Sequence, residues 1–244
     1  MIITIKKDTK KLLETLDRYK SFYLIGCSEC ASLCGTGNEE AIKELTEALT
    51  AAGKTVTGGI VPTTGCQTLG TKVELKKDKD ASGEAEVIIA MSCGAGTQSA
   101  VEIFPDKPVY PANDTMFLGN MTRFQMFDER CSLCGDCVLE LTGGICPVTN
   151  CPKGLLNGPC GGMKDGNCEV SADIKCAWVR IYERQKKLNE LEKMEDIAPP
   201  KDWSKSQKPH SLYNKEDKQK DKAGATHSDK TAKSVGAPPL KEKK

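Results

Sequence analysis

Leucines at 12, 13 and 16 sit among charged residues between Thr9 and Lys20, the spacing of one apolar stripe on a helix. The pattern then changes: Ser21-Phe-Tyr-Leu-Ile-Gly26 is a short continuous apolar run closed by glycine, which reads as a buried strand. Asn38 stands where a helix N-cap belongs, Ile42, Leu45 and Leu49 recur on one face, and Gly53 follows as a stop, so a helix is predicted to run to Ala52. Thr55–Val61 reads as a second strand, Glu86–Met91 as a third, Gly96–Ile103 as the helix after it, and Pro108–Pro111 as a short edge strand. Strands alternating with helices imply an α/β region with a parallel sheet, open or doubly wound.

Past residue 120 the periodicity fades, and little regular structure is expected before a helix over Ile174–Glu183, whose apolar residues continue weakly through Leu188 and Leu191. Near Ala198 the apolar residues nearly vanish, and Pro199-Pro200 opens a stretch rich in Lys, Asp, Ser and Pro. Such a stretch buries too little surface to offset chain entropy. The expected organisation is therefore an α/β domain over 1–120, a small cysteine-rich domain over 121–197 and a disordered tail over 198–244. Trp203 and Tyr213 are the tail's candidate anchors for a partner.

Composition narrows the chemistry. The 244 residues carry a net charge of +1, which excludes a generally basic nucleic-acid binder. The C-terminal lysines are mixed with acids and have no aromatic ladder. No apolar run is long enough to span a bilayer. The N-terminus MIITIKKDTKKLLETLDRYK is too charged for a signal peptide, so a cytoplasmic location is expected. In that reducing setting 13 cysteines point to metal ligation before disulfides, and their odd number disfavours complete pairing. The two histidines, His210 and His227, both fall in the expected tail. The body therefore cannot build a Cys–His pair, a Ser–His–Asp triad or a Cys2His2 zinc site. Its metal centres must rest on thiolates, which means structural zinc or iron–sulfur. No G-x-G-x-x-G fingerprint follows the first strand, so dinucleotide binding has no support.

The cysteines form two constellations. Cys27, Cys30 and Cys34 follow the first predicted strand, Cys66 the second, and Cys93 the Glu86–Met91 strand. All five are thus expected beyond the carboxyl ends of strands, where α/β sheets bind ligands. Four of them suffice for one [4Fe–4S] cluster or one zinc ion. The second constellation, Cys131-x2-Cys134-x2-Cys137, has the spacing of bacterial ferredoxins, and Cys146, Cys151, Cys160, Cys168 and Cys176 follow it. These eight make two tetrads, so two [4Fe–4S] clusters are expected in a ferredoxin-like domain. The longer gap to the first Cys-Pro keeps the ferredoxin pairing from being copied. Zinc ribbons offer two distant C-x2-C pairs, which are missing here.

CPVTNCPKGLLNGPCGG (Cys146–Gly162), GNCEV (Gly166–Val170) and CAWVRIYER (Cys176–Arg184) closely resemble the signature of the methylenetetrahydrofolate reductase C-terminal domain family. IGCSECASLCGTGNEEAI, GCQ and MSCGAG in the N-terminal part resemble the small iron–sulfur subunit that bears this domain in acetogens. The resemblance covers roughly residues 1–190. It implies a subunit that takes electrons from an upstream donor module and passes them to the flavin of a partner barrel subunit, where methylenetetrahydrofolate is reduced in the Wood–Ljungdahl pathway. It implies that all 13 cysteines are candidate ligands. The alternative from another class is a zinc-thiolate scaffold subunit of a one-carbon enzyme complex. A catalytic cluster with one iron left open is disfavoured by five cysteines in the first domain.

Overall fold

In the computed structural model, residues 1–209, 211 and 212 are described. His210, Tyr213, His227 and most of the expected tail lie outside the described residues. Strand β1 (Ile2–Lys6) leads through α1 (Thr9–Thr15) to β2 (Ser21–Ile25). Asp8 caps α1 by accepting from the Lys11 amide at 2.9 Å. The helix predicted to reach Lys20 stops at Thr15, because the chain tightens into a turn that sets Leu16 wholly inside. Next come α2 (Cys30–Leu33), α3 (Glu39–Ala51), β3 (Thr55–Ile60), α4 (Thr68–Leu75) and α5 (Lys79–Glu84). The Asn38 side chain caps α3 as expected, accepting from the Ala41 amide at 3.0 Å. After β4 (Val87–Ala90), α6 (Gly94–Ile103) and β5 (Val109–Pro111), the chain forms a hairpin of β6 (Asn113–Arg123) and β7 (Met126–Cys131).

β3, β2, β4 and β5 lie in that order in one sheet with every neighbour parallel. Two apolar layers cover its faces. Leu12, Leu16, Leu45 and Leu49 pack with Phe22, Leu24, Val87 and Ile89 on one side. Leu75, Ala85 and Ala100 pack with Tyr23, Ile25 and Ile88 on the other. Alternate residues of β2 and β4 thus serve opposite layers, as period two requires. The expected α/β region with a parallel sheet is present.

The hairpin was not expected. β1, β6 and β7 form a second, antiparallel sheet, and its strands continue through the stretch read as irregular, up to Cys131. The strand Asn113–Arg123 alternates weakly because one face is open, so its period is hard to see in sequence. At the tip, Phe124 is 86% exposed, and Met126 is also exposed.

Beyond β7 come α7 (Pro147–Asn150) and α8 (Ala177–Leu188). α8 starts three residues later than predicted. The Cys168 amide donates to the Ile174 carbonyl at 2.8 Å and the Cys176 amide to that of Gly166 at 2.9 Å, which holds Ile174 and Lys175 in a short antiparallel ladder. Asn189, left-handed at φ 57°, ends the helix. Met1–Ser206 form one compact unit. Residues 198–206 are therefore packed, a correction to the disordered tail expected from 198. Polar anchors rather than apolar burial hold them: the Ala198 amide donates to Asn157 Oδ1 at 2.8 Å and the Asp202 amide to Asp136 Oδ2 at 3.1 Å. Trp203 opens a 3-10 turn and stays exposed.

Candidate metal centres

In the parallel sheet the chain leaves β2 toward β3 on one side and leaves β4 toward β5 on the other. The carboxyl ends of β2 and β4 therefore flank the switch point, the usual ligand crevice of such sheets. Cys27 follows β2, Cys93 caps the amino end of α6 directly after β4, and Cys66 precedes α4 after β3. Glycine permits this convergence. The Cys27 amide donates to the Gly37 carbonyl at 2.9 Å, and a Cβ on Gly37 would stand 2.2 Å from the Met91 carbonyl oxygen.

Burial pushes the Cys66 thiol up, although the residue as a whole stands exposed, and neighbouring Cys93, Cys27 and Cys30 push it further. Those four thiols thus share one electrostatic neighbourhood. The Gly65 amide donates to Cys27 Sγ at 3.4 Å and the Ile2 amide to Cys30 Sγ at 3.3 Å. Cys34 Sγ instead lies 4.0 Å from the Ile2 carbonyl oxygen. Two β6 residues missed in the sequence brace the site from outside. Asn113 Nδ2 donates to the carbonyls of Thr36 and Ser92, and Thr115 Oγ1 accepts from the Gly94 amide at 2.8 Å. Their signal was absent because the hairpin itself was not legible.

In the second constellation α8 is the spine. Trp178 Nε1 donates to the Leu155 carbonyl at 3.1 Å, Arg180 Nη1 to Asn150 Oδ1 at 3.0 Å and Gln185 Nε2 to the Leu141 carbonyl at 2.9 Å. Trp178 is thus packed and buried, while Tyr182 is exposed. Cys146 and Cys151 bracket α7, and a 2.9 Å hydrogen bond between Ser132 and Thr149 ties that helix to the Cys131–Cys137 loop. Lys153 pairs with Glu169, joining the turn after Cys151 to the one after Cys168. Alternation along the short ladder sets Cys168 and Cys176 on the same side, one diagonal step apart. Leu133 (φ 55°) and Gly135 (φ 73°) turn the loop left-handed at two places, and the Leu133 amide donates to Cys131 Sγ at 3.3 Å. Successive amides in such a turn form a concavity suited to an anionic group. Cys134 is buried and Cys137 and Cys160 are exposed.

Among the described residues, no three His, Cys, Asp or Glu side chains already close on one point as a single metal ion requires. What the fold supplies is one thiol group beyond the strand ends and a second run of cysteines on the loops around α8, with amides donating to the Sγ atoms of Cys27, Cys30 and Cys131, a donor chemistry that fits thiolate-bound metal.

Residues 110–204 match the family model for the methylene-tetrahydrofolate reductase C terminal. The matched segment begins on β5 and takes in the hairpin, all of the cysteines from Cys131 to Cys176, α8 and most of the packed stretch after Ala198. The thiols at the strand ends of the parallel sheet lie outside it. No curated protein and no solved structure matches the chain. No described helix is long and apolar enough to cross a membrane.

Proposed function

We propose that the chain is an electron-transfer subunit of a methylenetetrahydrofolate reductase complex, delivering electrons to the flavin of a partner barrel subunit. The observation that carries this reading is the reductase segment with its eight cysteines, joined to a second all-thiol neighbourhood at a sheet switch point. Bound [4Fe–4S] clusters would supply one-electron transfer, with a ferredoxin-like ligand pattern in the second constellation. Around them the chain's own residues do the work. Cys27, Cys30, Cys66 and Cys93, whose thiols act on one another electrostatically, are the four proposed N-terminal ligands, while Cys34 Sγ lies 4.0 Å from the Ile2 carbonyl oxygen. The Gly65 and Ile2 amides donate to sulfur, which withdraws charge from a ligating thiolate. In the second constellation Pro147 opens α7, and glycines at positive φ, Gly135 among them, supply the left-handed turns of the cysteine loops.

The test is iron, zinc and acid-labile sulfide per chain after anaerobic purification, with EPR of the dithionite-reduced protein. Two to three cubanes' worth of iron with matching sulfide is expected. Stoichiometric zinc with little sulfide would overturn electron transfer and leave a thiolate scaffold.

A further inference from the structure

Lys201 stands in the packed stretch after Ala198, yet it is only 7% exposed, and its Nζ has no hydrogen-bond partner. Burying an ammonium without a countercharge costs several kcal/mol, so such groups are paired or neutralised. The stretch that carries it is pinned at both ends. On one side Asn157, between Cys151 and Cys160, exchanges two hydrogen bonds with the Ala198 backbone, at 2.8 and 3.0 Å. On the other Asp136, between Cys134 and Cys137, accepts from the Asp202 amide at 3.1 Å and from Lys205 Nζ at 2.5 Å. The Trp203 amide donates to the Lys201 carbonyl at 3.1 Å, which fixes the turn in between. The strap that carries Lys201 therefore runs from one cysteine loop to another, and the Lys201 charge is felt by Asp136 in the Cys134–Cys137 loop. The nearby carboxylate of Asp136 is already engaged by Lys205.

We propose that Lys201 is the countercharge of the thiolate-bound centre built by the Cys134–Cys137 and Cys151–Cys160 loops, held in place by the 198–206 strap. This rests on the metal-binding reading above. A fixed positive charge favours the more negative, reduced state of such a centre and so raises its potential.

The experiment uses the full chain, anaerobically purified, as wild type, K201M and K201R. It measures metal and sulfide per chain and, by EPR-monitored titration, the midpoint potentials. K201M should keep its iron and sulfide and lose at least tenfold in the reduction equilibrium of one centre, about 59 mV for one electron, with K201R restoring it. Full iron with unchanged potentials in K201M overturns the countercharge and leaves the electron-transfer reading intact. If K201M loses iron, K201R should keep it; equal loss from both overturns the charge role. If the wild type holds zinc without sulfide, electron transfer fails instead. The countercharge is then read from zinc retention against a chelator: K201M should release zinc faster than K201R, and equal release overturns it.

Discussion

The two thiol neighbourhoods rest on opposite kinds of support. Around Cys27, Cys66 and Cys93 the chain has a core without any metal: apolar side chains on both faces of a parallel sheet fix the strand ends from which those loops spring. Around Cys131–Cys176 the buried apolar side chains are few, mainly Ala177, Trp178 and Ile181 on one face of α8, with Cys134 itself the buried member of its loop. On the proposed reading the first site is an addition to a fold and the second is part of what folds, since a region with so thin a core would draw its stability from ligation.

Metal removal tests this contrast most severely. Stripping the reduced protein should cost the second region on the order of 10 kcal/mol of apparent stability, the scale of structural metal in small domains. Amides from Cys131 to Leu188 should then exchange freely while those of β2 and β4 stay protected. Hydrogen exchange with and without metal reads this directly, and equal protection in both regions would erase the distinction.

A smaller effect is expected from Gly37→Ala, which acts on the scaffold side alone. The new methyl would meet the Met91 carbonyl oxygen at 2.2 Å and Ala31 Cβ at 2.7 Å, neither of them at a flexible end. The loop bearing Cys27 and Cys30 must shift, at a cost of about 3 kcal/mol. Thermal unfolding should move down accordingly, with metal content lost from the first site and kept in the second. Loss from both would mean that the sites are coupled through more than proximity in sequence.

How much of this was legible beforehand follows the same division. β2, α3 and β4 were readable because each carries its period and its stops: the unbroken Phe22–Ile25 run, the Asn38 cap, and Val87–Ala90 between polar flanks. The positions of Cys27 and Cys93 beyond strand ends followed from β2 and β4, and that of Cys66 from the Thr55–Val61 run read as β3. The hairpin was hidden because β6 is half open to solvent and mixes polar with apolar residues. The strap was hidden for another reason: propensity counts apolar residues, whereas 198–206 is held by Asn157 and Asp136, side chains distant in sequence. Which thiols meet around α8 depends on such tertiary hydrogen bonds, and no period announces them.

Trp178→Phe probes the thin core with a single polar deletion. It removes the donor to the Leu155 carbonyl and some buried volume, for about 1–2 kcal/mol. Because Leu155 lies between Cys151 and Cys160, the variant should also release metal to a chelator faster than the wild type. Unchanged release would show that α8 does not brace those loops.

The smallest effect should come from the matching deletion in the thick core. Tyr23 donates to Asp78 Oδ2 at 2.7 Å and is wholly buried as a residue. Burial, then the hydrogen bond and charge of Asp78, push its hydroxyl well above the ordinary tyrosine value. Tyr23→Phe should cost about 1 kcal/mol near neutral pH and leave chelator release unchanged. The pH dependence has a definite sign. With its folded value raised, the tyrosine contributes fully below the unfolded value near 10, and that contribution falls as pH climbs above it, because only the unfolded chain ionises there. Urea unfolding at pH 8 and about pH 11 should therefore show a larger alkaline loss in the wild type than in Tyr23→Phe. Equal losses would mean that the hydroxyl is not sheltered by the sheet, and that the scaffold around the first site is looser than its packing implies.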